Sequence, residues 1–488
     1  MKFLRDQWPS LFIVLLCILS RLPQLLSNEL LLDGDECVIG LMAKHFNEGK
    51  EIAIYFHGQS YGFSFIETAL VSLAYLVNGM NDLSVKLPML LLWTGGVLFF
   101  YKALREINTG NKWLPLLITF VLIFSPSWAL WSMKARGGYI TAFFFSSLMI
   151  WILFLRNYKR PYGTYFFIGF CIVVIYQSQP LWLPGLLPVL AYKIYHQRTA
   201  KNFLGLAAGM LPTMLLFFWL KKFASQHWAP KVFDISSHTL LLNIKDLPSH
   251  LFHSLNGYYY LYYIYTAPLS CRVFAYVSIA LIAMLLVMTV WYLLKSFKKH
   301  TLFILSVLSV LFTIGYTLFL VEETPRYLLP LTGFLLFALF VFLDRIKRSI
   351  TGMLICGLLM VIGIPAVISF KTYTYFPARR EEVLACVDYM ERNDVKYCFS
   401  NDGLLQWQIM FYSKEKIICR ESSNDDRYPE YVHEVTNAYY KDREHLAVID
   451  NTTDLQSIAH EKAVNVISHF YIVIHPEDEV IRDMEFKL

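Results

Sequence analysis

Charged residues are scarce in this chain. Asp, Glu, Lys and Arg make up only 16% of its 488 residues, whereas hydrophobic residues make up 56% and the mean hydropathy is +0.45. Soluble domains usually carry about 25% charged residues and do not need so much uninterrupted apolar sequence. The shortage of charge therefore excludes an ordinary soluble protein and predicts an α-helical polytopic membrane protein.

Several motifs of soluble enzymes are also missing. The chain has no Walker loop, no GxGxxG, no GxSxG and no HExxH, and its eight cysteines form no CxxC pair. These absences argue against P-loop NTPases, dinucleotide-dependent oxidoreductases, serine hydrolases and zinc proteases. We therefore predict no cofactor; a metal is possible but is not indicated by any motif. The net charge of +6 is modest and gives no reason to expect a nucleic-acid partner.

The apolar runs contain few charges, which argues against an ion-coupled transporter or a proton relay. The first run, residues 8–26, follows a positive start and precedes no small-residue cleavage site. It is expected to be a signal anchor with the N-terminus in the cytoplasm. In total we expect about eleven spanning helices, within residues 8–26, 87–104, 113–130, 139–155, 165–178, 181–195, 203–220, 273–294, 302–320, 327–343 and 350–370.

One further apolar run, residues 63–77, is interrupted by Glu67. The basic clusters at the ends of the other runs fall on one side of the membrane only if this run does not cross. We therefore expect residues 63–77 to lie at, or re-enter, the outer face. The loop 28–86, the turns 131–138 and 322–326, and the polar tail then share that face.

The tail differs in character from the rest of the chain. Residues 1–371 are expected to form the membrane domain, and residues 372–488 a small α/β domain outside the membrane. Within the tail we expect helices over 379–393 and 454–462, and strands over 395–400, 416–419, 446–450 and part of 464–474.

Three carboxylates, Asp33, Asp35 and Glu36, follow directly on the first apolar run. Ionised carboxylates beside a membrane are costly and point to function, although they also suit an ordinary solvated loop. Asp33 or Asp35 is expected to cap a short surface helix, because apolar residues recur at helical spacing over 36–46.

Cations are expected on the same outer face. Lys134 and Arg136 break the rule that basic turns lie inside, and together with the following glycines they suit either a phosphate or lipid headgroups. Arg326 either joins them or forms a local ion pair with Glu322 and Glu323.

Two other polar residues have open alternatives. His57 either contacts a ligand or is structural, and Arg21, near the outer end of the first run, is expected to snorkel towards the interface. Carboxylates and cations facing outward together suit an enzyme with a lipid-phosphate donor. The cations would hold the phosphate leaving group while a carboxylate deprotonates an acceptor hydroxyl.

Three segments resemble the GT-C superfamily of membrane glycosyltransferases, in the bacterial branch related to protein O-mannosyltransferases and lipid A aminoarabinose transferases. They are the first outer loop with Asp35-Glu36, and the segments 131–139 and 325–330. The resemblance implies a GT-C fold and inverting hexosyl or pentosyl transfer from a polyprenyl-phosphate sugar. It leaves the acceptor open among a protein, a lipid and an envelope glycan.

The resemblance also implies roles for residues. Asp35 is the expected base, and Glu36 and Glu67 orient the acceptor or tune Asp35. We assign the donor phosphate to Lys134, Arg136 and Arg326. Substrate contacts are assigned to five further residues: His57, Gln59, Tyr61, Tyr139 and Tyr327. The expected location is the inner, or plasma, membrane. A flippase or transporter of polyprenyl-linked lipid and a non-catalytic scaffold remain alternatives.

Overall fold

The computed structural model describes most of the chain as helix, with a small sheet near the C-terminus. The described residues are 2–28, 30, 32–50, 52–59, 61–155, 161–197, 199–223, 233–259, 267–321, 324–346, 349–372, 379–422, 427–450, 453–459 and 463–486.

Fourteen helices precede the sheet domain in the described residues. They are α1 (Lys2–Leu19), α2 (Leu22–Leu25), α3 (Gly34–Glu48), α4 (Phe65–Asn78), α5 (Asp82–Ile107), α6 (Leu114–Ile123), α7 (Tyr139–Phe154), α8 (Pro161–Ser178), α9 (Leu183–His196), α10 (Ala200–Leu220), α11 (Ser237–Asn256), α12 (Leu269–Thr317), α13 (Leu329–Ile346) and α14 (Ser349–Ser369).

Six helical segments among the described residues are long and apolar enough to span a membrane, or seven if one bent pair counts as a span. The chain is therefore a multi-pass membrane protein, but the expected number of eleven spans is not confirmed. The difference has a physical basis. Helices α7 and α9 have only 16 and 14 residues, and α12 runs as 49 residues although the non-helical backbone of Ser296 breaks it.

The bent pair, Leu114–Ile123 and Pro126–Met133, turns by 56°, and Arg21 holds the bend. The Arg21 side chain is fully buried. Its Nη2 donates to the carbonyl oxygens of Ile123 and Trp128 at 3.0 and 3.2 Å, and its Nε donates to Ser132 Oγ at 2.7 Å. A break in a helix leaves carbonyls without helical partners, and this guanidinium satisfies two of them. The expectation that Arg21 snorkels is wrong.

The C-terminal domain is a mixed sheet with helices. It comprises α15 (Arg380–Arg392), β1 (Tyr397–Ser400), α16 (Gly403–Tyr412), β2 (Ile418–Glu421), α17 (Pro429–Lys441), β3 (Leu446–Asp450), α18 (Thr453–Ala459), β4 (Val464–Ile467), β5 (Phe470–Ile474) and α19 (Asp478–Asp483). The strand order is β2-β1-β3-β5-β4. Strands β2, β1 and β3 are parallel, whereas β5 is antiparallel to both β3 and β4.

Helix α16 of this domain lies directly on α3. A Cβ added to Gly34 would lie 2.7 Å from the Leu404 Cα, and one added to Gly40 would lie 2.4 Å from the Phe411 ring. Gln408 Nε2 also donates to the Leu32 carbonyl at 2.9 Å. Glycine therefore allows the two helices to approach closely, and this contact fixes the C-terminal domain over the N-terminus of α3.

Candidate active site

The N-terminus of α3 is closed by a capping box. Asp33 is the N-cap, and its Oδ1 accepts the Glu36 N–H at 2.9 Å, while Glu36 Oε2 accepts the Asp33 N–H at 3.2 Å. This confirms the expected cap and places Asp35 in the first helical turn. Amide groups at a helix N-terminus favour negative charge, so the helix supports an ionised carboxylate there.

Asp35 lies between two guanidinium groups. Arg136 Nη2 is 2.5 Å from its Oδ2, and Arg427 Nη1 is 2.7 Å from its Oδ1, while the Asp35 side chain is only 3% exposed. Burial disfavours its charged form, but the charges of Arg136, Arg427 and Arg326 outweigh burial and hold the pKa of Asp35 well below its usual range. The carboxylate is therefore ionised and fully occupied by cations.

A second ion pair lies beside the first. The Lys134 ammonium contacts Asp33 Oδ2, and Arg136 Nη1 is 4.0 Å from the same oxygen. Lys134 is fully buried, with its Nζ 5.5 Å from the centre of the Trp131 ring. The structure thus brings Lys134 and Arg136 to the acidic end of α3, on the turn between Met133 and α7.

Glu36 faces Lys86 and not the guanidinium cluster. Lys86 Nζ lies 2.6 and 2.8 Å from its two oxygens, and both side chains are buried. One of those oxygens also accepts the Asp33 N–H. Since both oxygens of Glu36 are engaged, its geometry fits a residue that fixes the end of α3 against α5.

Glu67 lies behind the cationic turn. It is fully buried, and the Thr141 hydroxyl donates to its Oε1 at 3.2 Å. Burial raises the pKa of Glu67 to about 7, although backbone N–H groups of Gly138, Thr141 and Arg136 favour its charged form. Through these hydrogen bonds Glu67 ties α4 to the start of α7.

The expected substrate residues separate into two groups. Tyr61 lies within electrostatic range of Tyr327 and of the Asp35 arginines, and Arg326 lies 5.3 Å from the Tyr327 ring centre. The Tyr139 ring packs on Trp131, with the ring centres 4.6 Å apart. The glutamates proposed as alternative partners of Arg326, Glu322 and Glu323, lie outside the described residues.

His57 and Gln59 are both buried. The His57 ring lies 5.0 Å from the Tyr428 ring, and burial together with the nearby His45 lowers the pKa of His57 to about 3. His57 is therefore neutral and packs under the segment that carries Arg427. The Gln59 N–H donates to the Phe56 carbonyl at 3.0 Å, which closes a turn.

Sequence reasoning missed two residues of this cluster. Lys86 lies near the start of α5. In the sequence it falls within the expected outer loop 28–86 and is an exception to the positive-inside rule of the same kind as Lys134, so that signal was available. Arg427 lies in the polar tail, where no local pattern marks it. Among the described residues, no group of three or more His, Cys, Asp or Glu side chains could hold a metal ion.

Among the comparisons with known proteins, only solved structures match, and they identify the fold. No family model and no curated protein sequence matches the chain. ArnT from Cupriavidus metallidurans in the apo state aligns over 97% of this chain and 98% of its own, with 11% identity and a TM-score of 0.50. The fold of the chain is therefore of the GT-C type.

Two further solved structures are similar at lower TM-scores. ArnT from the same organism bound to undecaprenyl phosphate has 11% identity and covers 96% of this chain and 98% of its own, with a TM-score of 0.47. Arabinofuranosyltransferase AftD from Mycobacteria has 12% identity, and the alignment covers 96% of this chain but 40% of AftD, with a TM-score of 0.48.

Proposed function

We propose that this chain is an inverting glycosyltransferase of the membrane. It takes a hexosyl or pentosyl unit from a polyprenyl-phosphate donor and transfers it to a protein, lipid or envelope-glycan acceptor. Transfer occurs at the outer face of the inner, or plasma, membrane. The N-terminus is cytoplasmic, residues 1–371 form the membrane domain, and residues 372–488 form the outer domain.

One observation carries the proposal: a buried carboxylate, Asp35, is held between the guanidinium groups of Arg136 and Arg427. Guanidinium groups bind phosphate oxygens by the same paired hydrogen bonds that they form with carboxylates. A donor phosphate entering the cluster competes with Asp35 for these donors. The arginines then neutralise the phosphate, and Asp35 loses the contacts that depress its basicity.

This exchange explains how a carboxylate with a low pKa can serve as a base. Before the donor binds, Asp35 is held ionised and cannot accept a proton readily. After the arginines turn to the phosphate, the pKa of Asp35 rises in a site from which water is largely excluded. Base strength is therefore coupled to the arrival of the donor, and unproductive proton transfer is suppressed until then.

The reaction is a single displacement at the anomeric carbon. The acceptor oxygen forms a bond to this carbon as the bond from the carbon to the phosphate oxygen breaks. Asp35 takes the acceptor's proton, and the electron pair of the broken bond goes to the polyprenyl phosphate. Lys134, Arg136, Arg326 and Arg427 stabilise the charge that develops on the leaving phosphate. No nucleotide is required, because the lipid phosphate is the leaving group.

The other assigned residues support this arrangement. Glu36 and Lys86 fix the capped end of α3, and Glu67 fixes the turn that carries Arg136. Tyr61 and Tyr327, next to Arg326, are placed to contact the donor sugar. Tyr139, His57 and Gln59 support the walls of the site by packing.

The test is sugar transfer by the purified full chain from a panel of polyprenyl-phosphate sugars. We expect Asp35→Asn to lower kcat by about 100- to 10,000-fold, while the KM for the donor stays the same or falls because the arginines are released. The exposed carboxylate Asp388 provides a control, since Asp388→Asn leaves both constants unchanged. Transfer that survives in Asp35→Asn contradicts the role of Asp35, and no transfer by the wild type from any donor contradicts the enzyme class.

Topology has a separate test. All eight cysteines are buried, so an added thiol labels against a low background. Asn78→Cys, at the exposed end of α4, is expected to react with a membrane-impermeant maleimide in intact cells. Labelling only after the cells are opened would place this end of α4 inside and contradict the proposed orientation.

A further inference from the structure

A cavity lies at the C-terminal end of α3, away from Asp35. Its volume is about 420 Å³, and it opens between the C-terminal half of α3 and the C-terminal domain. Its wall includes Lys44 and His45 from α3, Tyr397 from β1, Tyr428 and Tyr431 around the start of α17, and Glu434 from α17. The volume falls in the range of small-ligand pockets, and no role in the proposed transfer has been assigned to it.

The floor of the cavity is a polar network centred on Glu415. Glu415 accepts hydrogen bonds from the Tyr431 hydroxyl and the Lys44 ammonium, and His45 Nε2 lies 2.7 Å from its Oε1. Only 7% of the Glu415 side chain is exposed. Because the buried carboxylate already has cationic and hydroxyl partners, the cavity does not require an ion to balance its charge.

The walls combine aromatic rings with charged groups of both signs. The Tyr428 and Tyr431 rings have their centres 4.6 Å apart at 57°, and Tyr397 of β1 lines the same cavity. Lysines contribute only donors and glutamates only acceptors, whereas each hydroxyl of a sugar both donates and accepts. The apolar faces of a sugar ring pack on aromatic rings, which also carry polar edges.

We infer that this cavity binds a neutral sugar unit of the acceptor, an assignment that rests on the proposed function. The three carboxylates of the wall stand beside four lysine ammonium groups, so the wall has little net charge with which to select a small anion. A sugar ring with several hydroxyl groups can accept hydrogen bonds from the lysines and donate hydrogen bonds to the glutamates. The proposed function allows a protein, a lipid or an envelope glycan as the acceptor. A sugar site in this cavity favours an acceptor that already carries a glycan.

The position of the cavity fits this assignment. Asp35 and Lys44 are nine positions apart on α3, which is about 14 Å along the helix. Arg427 and Tyr428 are adjacent in the chain, and one contacts Asp35 while the other lines the cavity. One segment of the C-terminal domain therefore contacts both Asp35 and the cavity. The residues of α3 between Asp35 and Lys44 are buried, so a glycan seated in the cavity reaches Asp35 past the segment of Arg427 and Tyr428 and presents a hydroxyl to it.

The experiment measures glycan binding to the detergent-solubilised full chain by saturation-transfer NMR and calorimetry. The probes are neutral methyl glycosides and their di- and trisaccharides, with inorganic phosphate as the anionic comparison. We expect Tyr397→Ala and Glu434→Gln each to weaken binding of the best glycan about tenfold, and to raise the KM for a glycan acceptor without changing the KM for the donor. Tyr440→Ala and Glu444→Gln, exposed positions outside the cavity, are the matched controls and leave both unchanged.

The outcomes separate this inference from the proposed function. Asp35→Asn should keep glycan binding and lose transfer. If Asp35→Asn transfers normally while the cavity variants lose binding, the base assignment fails and the sugar site stands. The sugar site is wrong if no glycan of the panel binds, if the controls weaken binding as much as the cavity variants, or if phosphate displaces the glycan from the wild type.

Discussion

Arg427 Nη1 lies 2.7 Å from Asp35 Oδ1, although 392 positions separate the two residues in the chain. The Arg427 guanidinium also covers the Phe56 ring at 4.9 Å, and a Cβ added to Gly58 would lie 2.6 Å from the Arg427 Cα. The C-terminal domain therefore contributes a charged group to the candidate site and packs tightly on the loop between α3 and α4.

Removal of this group has a specific kinetic effect. Arg427→Ala is expected to lower kcat/KM by about 30-fold or more, because a buried charge loses its partner. The pKa of Asp35 rises when one of the guanidiniums that depress it is lost, so the acid limb of the pH profile of kcat/KM moves to higher pH. Arg443→Ala, which removes an ion pair with Asp478 on the surface of the same domain, is the control. An acid limb that does not move in Arg427→Ala contradicts the coupling.

The ion pair of Glu36 and Lys86 is expected to stabilise the folded protein. Lys86→Met leaves a buried carboxylate without its cation, and such losses cost roughly 3–5 kcal/mol. A lower Tm of the detergent-solubilised protein checks this. The double variant Glu36→Gln/Lys86→Met removes both charges and should recover much of the lost Tm. A double variant that is less stable than Lys86→Met contradicts a pairwise role.

Glu67 is expected to make stability depend on pH. Burial raises the pKa of Glu67 from 4.5 to about 7, so between these values the folded protein binds a proton that the unfolded chain has released. Stability therefore falls as pH rises across this window, by roughly 3 kcal/mol in total, and no further change from this group follows above the folded pKa.

The measurement is Tm from about pH 5 to about pH 8. Glu67→Gln starts from a different Tm, because an amide cannot accept the same backbone hydrogen bonds, but the contribution of residue 67 to the slope of Tm against pH disappears. Glu444→Gln, at an exposed site, keeps the wild-type slope. Equal slopes in the wild type and Glu67→Gln would show that Glu67 is ionised in the folded protein throughout.

Two glycine substitutions are expected to have opposite effects on stability, because one glycine lies in the close contact of α3 and α16 and the other lies in open space. Gly34→Ala places a methyl group 2.7 Å from the backbone of Leu404, so it should displace the C-terminal domain, lower Tm and reduce transfer. Gly315→Ala, in α12, meets nothing within 4 Å and should raise stability by about 0.5–1 kcal/mol. A neutral Gly34→Ala would mean that the domain contact is not tight.

The sequence predicts local elements well. Each of the eleven apolar runs contains helix, the capped helix after Asp33 is present, and the strands 395–400 and 446–450 are found as β1 and β3. These features depend on periodicity and on residues close together in the chain. The number of spans is less predictable, because short helices and the break at Ser296 depend on packing between helices.

The candidate site is predicted in part. Hydropathy and the positive-inside rule identify Lys134 and Arg136 as exceptional, and the structure places both beside the acidic residues of α3. The same reasoning misjudged Arg21, because the bend that needs a buried guanidinium arises only in the folded bundle. Helix α16 and the position of Arg427 were not predicted, since the contact of a distant segment with α3 has no signature in local sequence.

The bridge between Asp35 and Arg427 also sets a time at which activity can begin. Ribosomes complete the N-terminal helices first, and these can enter the membrane while the tail is still being made. The cationic cluster stays incomplete until residue 427 has been synthesised and its domain has folded onto α3. A nascent chain therefore carries Asp35 into the membrane well before the cationic cluster around it is complete.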